Sequence, residues 1–349
     1  MVDRPKSDTQ PRPNPASTPG STISTPGAES STLAAFGGAS TLFRWLDPRR
    51  LDRRLVAPGP LGRLSLLRCL LAVVIGVRLV LRRWWVMTER PADAFIPVPV
   101  LSWLSDQPGL AAIGAVWVVG VAAVTVAAWT SWSVARGRLA ERRDRLAGPA
   151  FVVAWLSLVV LAGLWGSSGK ILHNDILLIA LCTPVVLAGT PRAGDRSSDV
   201  EGRWGWPPRA ALALLGVVYF LTGFQKLRHS GLEWVFSSNM TWVIRQGNPR
   251  IGEELSRSIA DQLWFTQALA GGALLLEVLA PLLLLVRPTR LVFAASATLM
   301  HLSIWAFLGL DYYGWVLTVW AVVIPMTLVG DRVLTGGRRR TGGPLASGR

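Results

Sequence analysis

The chain has 349 residues, of which 51% are hydrophobic and only 16% are charged, and its mean hydropathy is +0.39. This composition is too apolar and too poor in charge for an ordinary soluble domain, and it predicts an all-α, polytopic membrane helix bundle. The net charge of +15 is not gathered into one basic patch, which disfavours a nucleic-acid partner.

Both ends of the chain differ in composition from its apolar middle. Residues 1–40 are rich in Pro, Ser, Thr and Gly and cannot bury enough apolar surface to offset the entropy of folding, so we predict a disordered cytoplasmic tail. A basic juxtamembrane segment, 41–60, follows, and a basic cytoplasmic tail, 331–349, comes last. Because no basic segment with a short apolar core begins the sequence, the first span is expected to act as an uncleaved signal.

Eight apolar stretches within residues 61–330 meet or approach the roughly 20 residues that a helix needs to cross a bilayer. They are Leu64–Leu81, Leu110–Trp132, Ala150–Trp165, Asp175–Ala188, Arg209–Leu227, Gln262–Val286, Leu291–Leu310 and Tyr313–Val329. The third and fourth are short and share the polar connection Gly166–Asn174. We therefore predict about eight transmembrane helices, with this pair forming either a tight hairpin or broken helices that line a cavity.

Arginine-rich segments fall in alternate connections between the eight stretches, before the first and after the second, fourth, sixth and eighth. By the positive-inside rule, this alternation predicts a multi-pass protein of the cell (plasma) membrane with both termini in the cytoplasm. Arg82, Arg83 and Arg90 lie just beyond the first span, at the predicted external end, and are a minority that favours the opposite orientation.

Several polar residues fall near the predicted external end of the bundle, where a charged group marks a candidate functional site. They are Lys226 at the end of span five, Lys170, His173 and Asp175 at the start of span four, His301 within span seven and Tyr312 in the turn after it. Structural interpretations remain open: a snorkelling Lys226, an interhelical hydrogen bond from His301, and a helix start at Asp175. Because Lys226 carries little apolar packing, replacing it with Ala is expected to leave stability nearly unchanged.

Other polar and sulfur-bearing residues favour packing roles. Glu277 lies inside span six and needs an internal partner, for which Arg68 or Arg78 of span one is predicted. Cys69 and Cys182 lie in separate spans and are expected to pack as small apolar groups. No phosphate-binding Gly-rich loop, HExxH, GxSxG or Cys/His metal spacing is present, so no metal site is predicted, and a conventional hydrolase or nucleotide-driven pump is disfavoured.

One motif resembles a known family. The run Tyr219-Phe-Leu-Thr-Gly-Phe-Gln-Lys226-Leu, followed by Trp234, resembles the signature of the HTTM (horizontally transferred transmembrane) proteins and the vitamin K-dependent gamma-carboxylases. The segments 173–195 and 300–325 are also similar to family helices, so the resemblance covers roughly residues 60–330. It implies a quinone-like lipid as ligand, with Lys226 as the base and His173 and His301 as groups that position the headgroup. Tyr219 and Trp234 of the motif, with Lys170, Asp175 and Tyr312 near the predicted external end, are the predicted ligand contacts.

The chain also departs from the carboxylase pattern. The loop 228–233 looks longer, Ser237 stands where Gly usually follows the Trp, and only 19 residues follow Gly330, so the large extramembrane domain of the carboxylase is not expected. Peptide carboxylation is therefore disfavoured. Three hypotheses remain: an enzyme or redox partner acting on a quinone-like lipid, a non-catalytic membrane protein that binds lipid or protein partners, and a small-molecule transporter. Lys226 serves as a base if it is desolvated, but as a binding cation if it contacts Asp175 or Glu233.

Overall fold

The computed structural model describes residues 55–137, 144–169, 173–190, 195 and 200–327. Helices dominate these residues, which confirms the predicted all-α class. The bounds are α1 Leu61–Leu81, α2 Leu110–Ala135, α3 Ala147–Ser167, α4 His173–Leu187, α5 Gly202–Ser230, α6 Glu233–Phe236, α7 Asn239–Arg245, α8 Glu253–Ala260, α9 Leu263–Leu285, α10 Thr289–Leu308 and α11 Tyr313–Thr327. The predicted tails, 1–40 and 331–349, and most of the segment 41–60 lie outside the described residues.

Six of the described helices, α1, α2, α3, α5, α9 and α10, are long and apolar enough to cross a membrane. The shorter apolar helices α4 and α11 occupy predicted spans four and eight. Helix α3 has 21 residues and is a full span, so the expectation of a short third span was wrong. Helix α5 begins at Gly202, ahead of the predicted Arg209, because the amphipathic opening turn contributes Trp204 to the core.

Helix α1 is the most buried span, with 61% of its apolar window inside the protein, against 22% for α2. Leu64, Leu67, Leu71 and Ile75 are completely buried and recur at helical spacing along one face. A two-residue antiparallel pair joins the start of this helix to α5: β1 (Gly59–Pro60) pairs with β2 (Val200–Glu201). Helix α1 therefore lies at the centre of the bundle, whereas α2 presents most of its surface to the surroundings.

Helices α5 and α9 approach each other closely along a face of α5 that carries two glycines seven residues apart. A Cβ added at Gly216 would lie 3.3 Å from Cα of Pro281. A Cβ added at Gly223 would lie 2.9 Å from Cβ of Glu277 and 3.2 Å from the backbone nitrogen of Val278. The absence of side chains at these two positions fixes the register between the helices.

The connection between α5 and α9 carries the short helices α6, α7 and α8 and packs against the end of α10. The amide of Arg250 donates to the carbonyl of Ala306 at 2.8 Å, and that of Asn248 donates to the carbonyl of Leu308 at 3.3 Å. Gly309 ends α10 with φ +68°, and a Cβ there would collide with the Asn248 carbonyl. These contacts hold the connection over the end of α5 that carries Lys226.

Candidate functional site

Lys226 forms an ion pair with Glu277. Its Nζ lies 2.5 Å from both carboxylate oxygens, and the Lys226 and Glu277 side chains are 25% and 8% exposed. The close approach at Gly223, one turn before Lys226 on α5, brings Glu277 of α9 within reach. The indole ring of Trp234 lies 5.5 Å from the ammonium, at cation–π distance.

This pair corrects the predicted partner of Glu277. Arg68 donates to the carbonyl of Gly189 at 2.9 Å, and Arg78 pairs with Asp175, so neither arginine meets Glu277. The register between the antiparallel helices α5 and α9 selects Lys226 instead. The sequence predicts that Lys226 is a binding cation if it contacts the carboxylate of Asp175 or Glu233. Lys226 does contact a carboxylate, but the partner is neither of these two residues.

A second polar contact joins α5 to α10, between Tyr219 and His301. The Tyr219 hydroxyl lies 2.9 Å from Nε2 of His301, and both side chains are buried. The other ring nitrogen, Nδ1, is buried without a hydrogen-bond partner. Because one imidazole nitrogen donates and the other accepts when the ring is neutral, this leaves a hydrogen-bonding position unfilled whichever tautomer is present.

Aromatic rings surround His301. The Tyr312 ring stacks on the imidazole with centroids 5.2 Å apart and planes 22° apart, and the Trp315 ring lies 5.6 Å away. Tyr219 contacts Trp315 and Phe293 edge to face. Burial raises the pKa of the Tyr312 phenol, so the hydroxyl keeps its proton at neutral pH. The imidazole is therefore enclosed by aromatic rings from α5, from α11 and from the turn before α11.

The ion pair and the imidazole belong to one group of residues. Tyr219, Gly223 and Lys226 recur at spacings of four and three along one face of α5. Tyr219 contacts His301 and Lys226 contacts Glu277, so this face of α5 joins the two polar contacts. We call the set Lys226, Glu277, Tyr219, His301 and Tyr312 the Lys226 site.

Asp175 lies in a separate ion-pair cluster, although it was predicted as a ligand contact beside Lys226. One carboxylate oxygen accepts from Nε of Arg78 at 2.7 Å and the other from Nη1 of Arg82 at 2.7 Å, with Asp175 only 1% exposed. The Arg78 guanidinium lies 4.9 Å from the ring centre of Tyr313, which follows Tyr312 in the chain. Asp175 thus links α4 to α1 and to Arg82 through salt bridges. Because Tyr313 directly follows Tyr312, this ion-pair cluster adjoins the Lys226 site.

Two predicted site residues have no described side chain. Lys170 lies outside the described residues, and of His173 only its place as the first residue of α4 is described. The expectation that His173 shares a cavity with Lys226 and His301 stays a prediction. Trp234, Tyr219 and Tyr312 do lie beside Lys226 or His301, as described above. Their ligand-binding roles likewise stay predictions.

Two depressions on the described surface lie away from the Lys226 site. One, of about 560 Å³, is lined by Glu253, Glu254, Arg257, Ser258, Asp261 and Gln262. The other, of about 340 Å³, is an apolar groove between α2 and α3, lined by Ala115, Val116, Val119, Val153, Leu156, Ser157 and Val160. Among the described residues, no three His, Cys, Asp or Glu side chains are grouped to hold a metal ion.

No protein-family model, curated protein or solved structure matches this chain. Membership of the HTTM family therefore stays a prediction from the motif Tyr219 to Trp234 and the segments 173–195 and 300–325. What the fold establishes is a helical protein with multiple apolar helices suited to crossing a membrane.

Proposed function

We propose that this chain is an HTTM-type integral membrane protein that binds a quinone-like lipid headgroup at the Lys226 site. The observation that carries the proposal is a partly exposed Lys226 side chain on the same face of α5 as Tyr219, which holds a buried imidazole whose Nδ1 has no partner. A buried polar nitrogen without a hydrogen bond costs about 1–3 kcal/mol, which a ligand oxygen would offset. The surrounding Tyr and Trp rings supply apolar faces for a conjugated ring.

Lys226 acts in this proposal as a binding cation. Both oxygens of Glu277 lie 2.5 Å from Nζ, so the two side chains form a salt bridge in which Lys226 is the cation. An ammonium has three N–H donors, so the pair with Glu277 leaves donor capacity for a carbonyl oxygen of the ligand. Lys226 serving as the base of a carboxylase-like reaction would first have to pass its proton to Glu277, so ligand binding is the function that this contact favours.

The headgroup that fits has polar oxygens at the edge of a flat ring. One oxygen would accept from the Lys226 ammonium, and a second polar group would meet His301 Nδ1. Tyr219 orients the imidazole through Nε2, and Tyr312 stacks against its face. A quinone or quinol has this combination of a planar ring with opposed oxygen atoms, and its lipid tail suits a site within a membrane bundle.

The test compares quinones that copurify with the wild-type protein and with Lys226→Met/Glu277→Gln. This double variant removes both charges of the pair together, so no lone charge is left buried. A charge-assisted hydrogen bond contributes about 1.5–3 kcal/mol, so we expect at least a ~10-fold loss of bound quinone by mass spectrometry of lipid extracts.

The matched control is Arg245→Gln/Asp261→Asn, which neutralises an ion pair whose side chains are 42% and 58% exposed. It should copurify with quinone at the wild-type level. His301→Phe, which keeps an aromatic ring but removes Nδ1, should lose quinone as well, whereas the same change at the exposed His229 should not. Equal quinone content in the wild type and in folded Lys226→Met/Glu277→Gln would refute the proposed function.

A further inference from the structure

The predicted external end of α1 carries more arginines than the positive-inside rule leads one to expect. Arg82 and Arg83 directly follow α1, and Arg90 follows within the next segment. Connections on the external side of a membrane protein normally contain few arginines. Among the described residues, Arg82 pairs with one carboxylate, that of Asp175, which also pairs with Arg78. Arg83 and Arg90 form no ion pair with a described residue. The same segment carries Glu89, Asp93 and Asp106, but among the described residues none of these carboxylates forms an ion pair with Arg82, Arg83 or Arg90.

Arg82 and Arg90 converge on one indole ring. The guanidinium carbon of Arg82 lies 4.2 Å from the ring centre of Trp165, and that of Arg90 lies 5.0 Å from it. Trp84 packs edge to face against the same ring at 6.2 Å, and Arg90 also donates to the carbonyl of Ser168. Stacking and these hydrogen bonds hold both guanidinium groups in place, so little side-chain entropy would be lost when they bind an anion.

The indole ring supplies a further donor. Trp165 is 9% exposed, and its Nε1 is buried without a hydrogen-bond partner. An indole nitrogen can only donate, so the acceptor it lacks must be an oxygen or another electron-rich atom. Two guanidinium groups and one indole N–H form a donor set that suits the oxygens of a phosphate group, to which arginine binds in bidentate fashion.

The surroundings favour a lipid as the source of that phosphate. Exposed tryptophans at the ends of membrane helices are typical of the headgroup level, and Trp85, which follows α1, is 46% exposed. The segment after Arg90 exposes large apolar side chains, including Ile96 at 76% and Trp103 at 75%. This segment is anchored to the end of α3, because the amide of Ile96 donates to the carbonyl of Ser167 at 2.7 Å. Apolar side chains beside a cationic pair are arranged to receive acyl chains below a charged headgroup.

We propose that Arg82, Arg90 and Trp165 bind the phosphate of an anionic phospholipid at the end of α1 and α3. The guanidinium groups bind phosphate oxygens, the Trp165 indole donates to one of them, and the exposed apolar segment contacts the acyl chains. This site is distinct from the Lys226 site, and the inference does not rest on the proposed quinone ligand.

The test uses the full-length protein in nanodiscs of phosphatidylcholine that contain a minor fraction of phosphatidylglycerol, followed by release into native mass spectrometry. Wild-type protein should retain phosphatidylglycerol, and Arg82→Gln/Arg90→Gln should reduce that retention by ~10-fold or more, as expected for the loss of charge-assisted hydrogen bonds. The control Arg228→Gln/Arg250→Gln removes two exposed positive charges from the same predicted side and should retain the lipid at the wild-type level.

A single variant and a competition with inorganic phosphate complete the test. Arg90→Gln leaves the Arg82–Asp175 pair intact, so it should lower lipid retention even if the double variant folds poorly. Added inorganic phosphate should not displace the lipid; displacement would overturn the lipid assignment in favour of a soluble phosphate compound. Equal retention by wild type, folded Arg90→Gln and the Arg228→Gln/Arg250→Gln control would show that the arginines attract lipid only as diffuse charge and would overturn the proposal.

Discussion

Replacing Lys226 with Ala tests the ion pair by removing one of its charges. Both oxygens of Glu277 lie 2.5 Å from Nζ, and Glu277 is 8% exposed, so its carboxylate would remain among apolar groups without a counter-charge. Breaking a buried pair in this way costs about 3–5 kcal/mol, and the partial exposure of Lys226 favours the lower end, about 3 kcal/mol. The sequence alone predicts that stability hardly changes, whereas the ion pair with Glu277 predicts a loss, and the measurement below distinguishes the two predictions.

The assay is thermal unfolding of purified protein in detergent. At roughly 2 °C per kcal/mol for a chain of this size, Lys226→Ala should lower the Tm by about 6 °C. Lys226→Met/Glu277→Gln should recover most of that loss, because no lone charge is left buried. The exposed-pair control Arg245→Gln/Asp261→Asn should change stability by less than about 1 kcal/mol. If Lys226→Ala unfolds at the wild-type temperature, or if replacing Glu277 gives no recovery, the pair does not stabilise the bundle.

Three other predictions follow from the packing, the second ion-pair cluster and the topology. Gly223→Ala should destabilise the protein by about 1–3 kcal/mol in the same assay, because the added Cβ meets α9, whereas Gly272→Ala has nothing within 4 Å and should not destabilise it. Asp175→Asn should cost about 3 kcal/mol or more, since two guanidinium groups lose their shared carboxylate; a loss no larger than that of the exposed-pair control would contradict this. Reporter fusions after Arg145 and after Arg250 should report cytoplasm and exterior, and the same location for both would refute the predicted topology.

The sequence was sufficient to locate the membrane helices. Each of the eight apolar stretches contains a helix, because a long apolar segment must satisfy its backbone hydrogen bonds internally when it crosses a membrane. Helix ends were predicted less well. The apolar stretch predicts that span five begins at the charged residue Arg209. Helix α5 begins earlier, at Gly202, because Trp204 is buried.

The partners of the charged residues could not be predicted, because they depend on the register between helices. Depth along each span suggested Arg68 or Arg78 for Glu277, whereas the close packing of Gly216 and Gly223 against α9 brings Lys226 to it. A signal was present: the two glycines lie seven residues apart on the face of α5 that also carries Lys226. Small residues on one face of a helix are typical of closely packed membrane helices.

The pairing of Asp175 with Arg78 and Arg82 could have been predicted from depth. All three residues lie near the predicted external end, where α1 ends and α4 begins. The role of Asp175 as a ligand contact stays a prediction, although its carboxylate already pairs with both arginines. The unfilled Nδ1 of His301, by contrast, depends on the rotamers of several aromatic rings, and periodicity contains no information about these.

Ligand binding at the Lys226 site is tested most directly by titrating the purified protein with a short-chain quinone and following quenching of tryptophan fluorescence. Trp234 and Trp315 lie beside Lys226 and His301 and should report a quinone bound there. We predict saturable binding to the wild type, similar affinity for Lys226→Arg, which keeps the charge, and at least a ~10-fold higher Kd for Lys226→Met/Glu277→Gln. Wild-type affinity in the folded, neutralised variant would contradict the account.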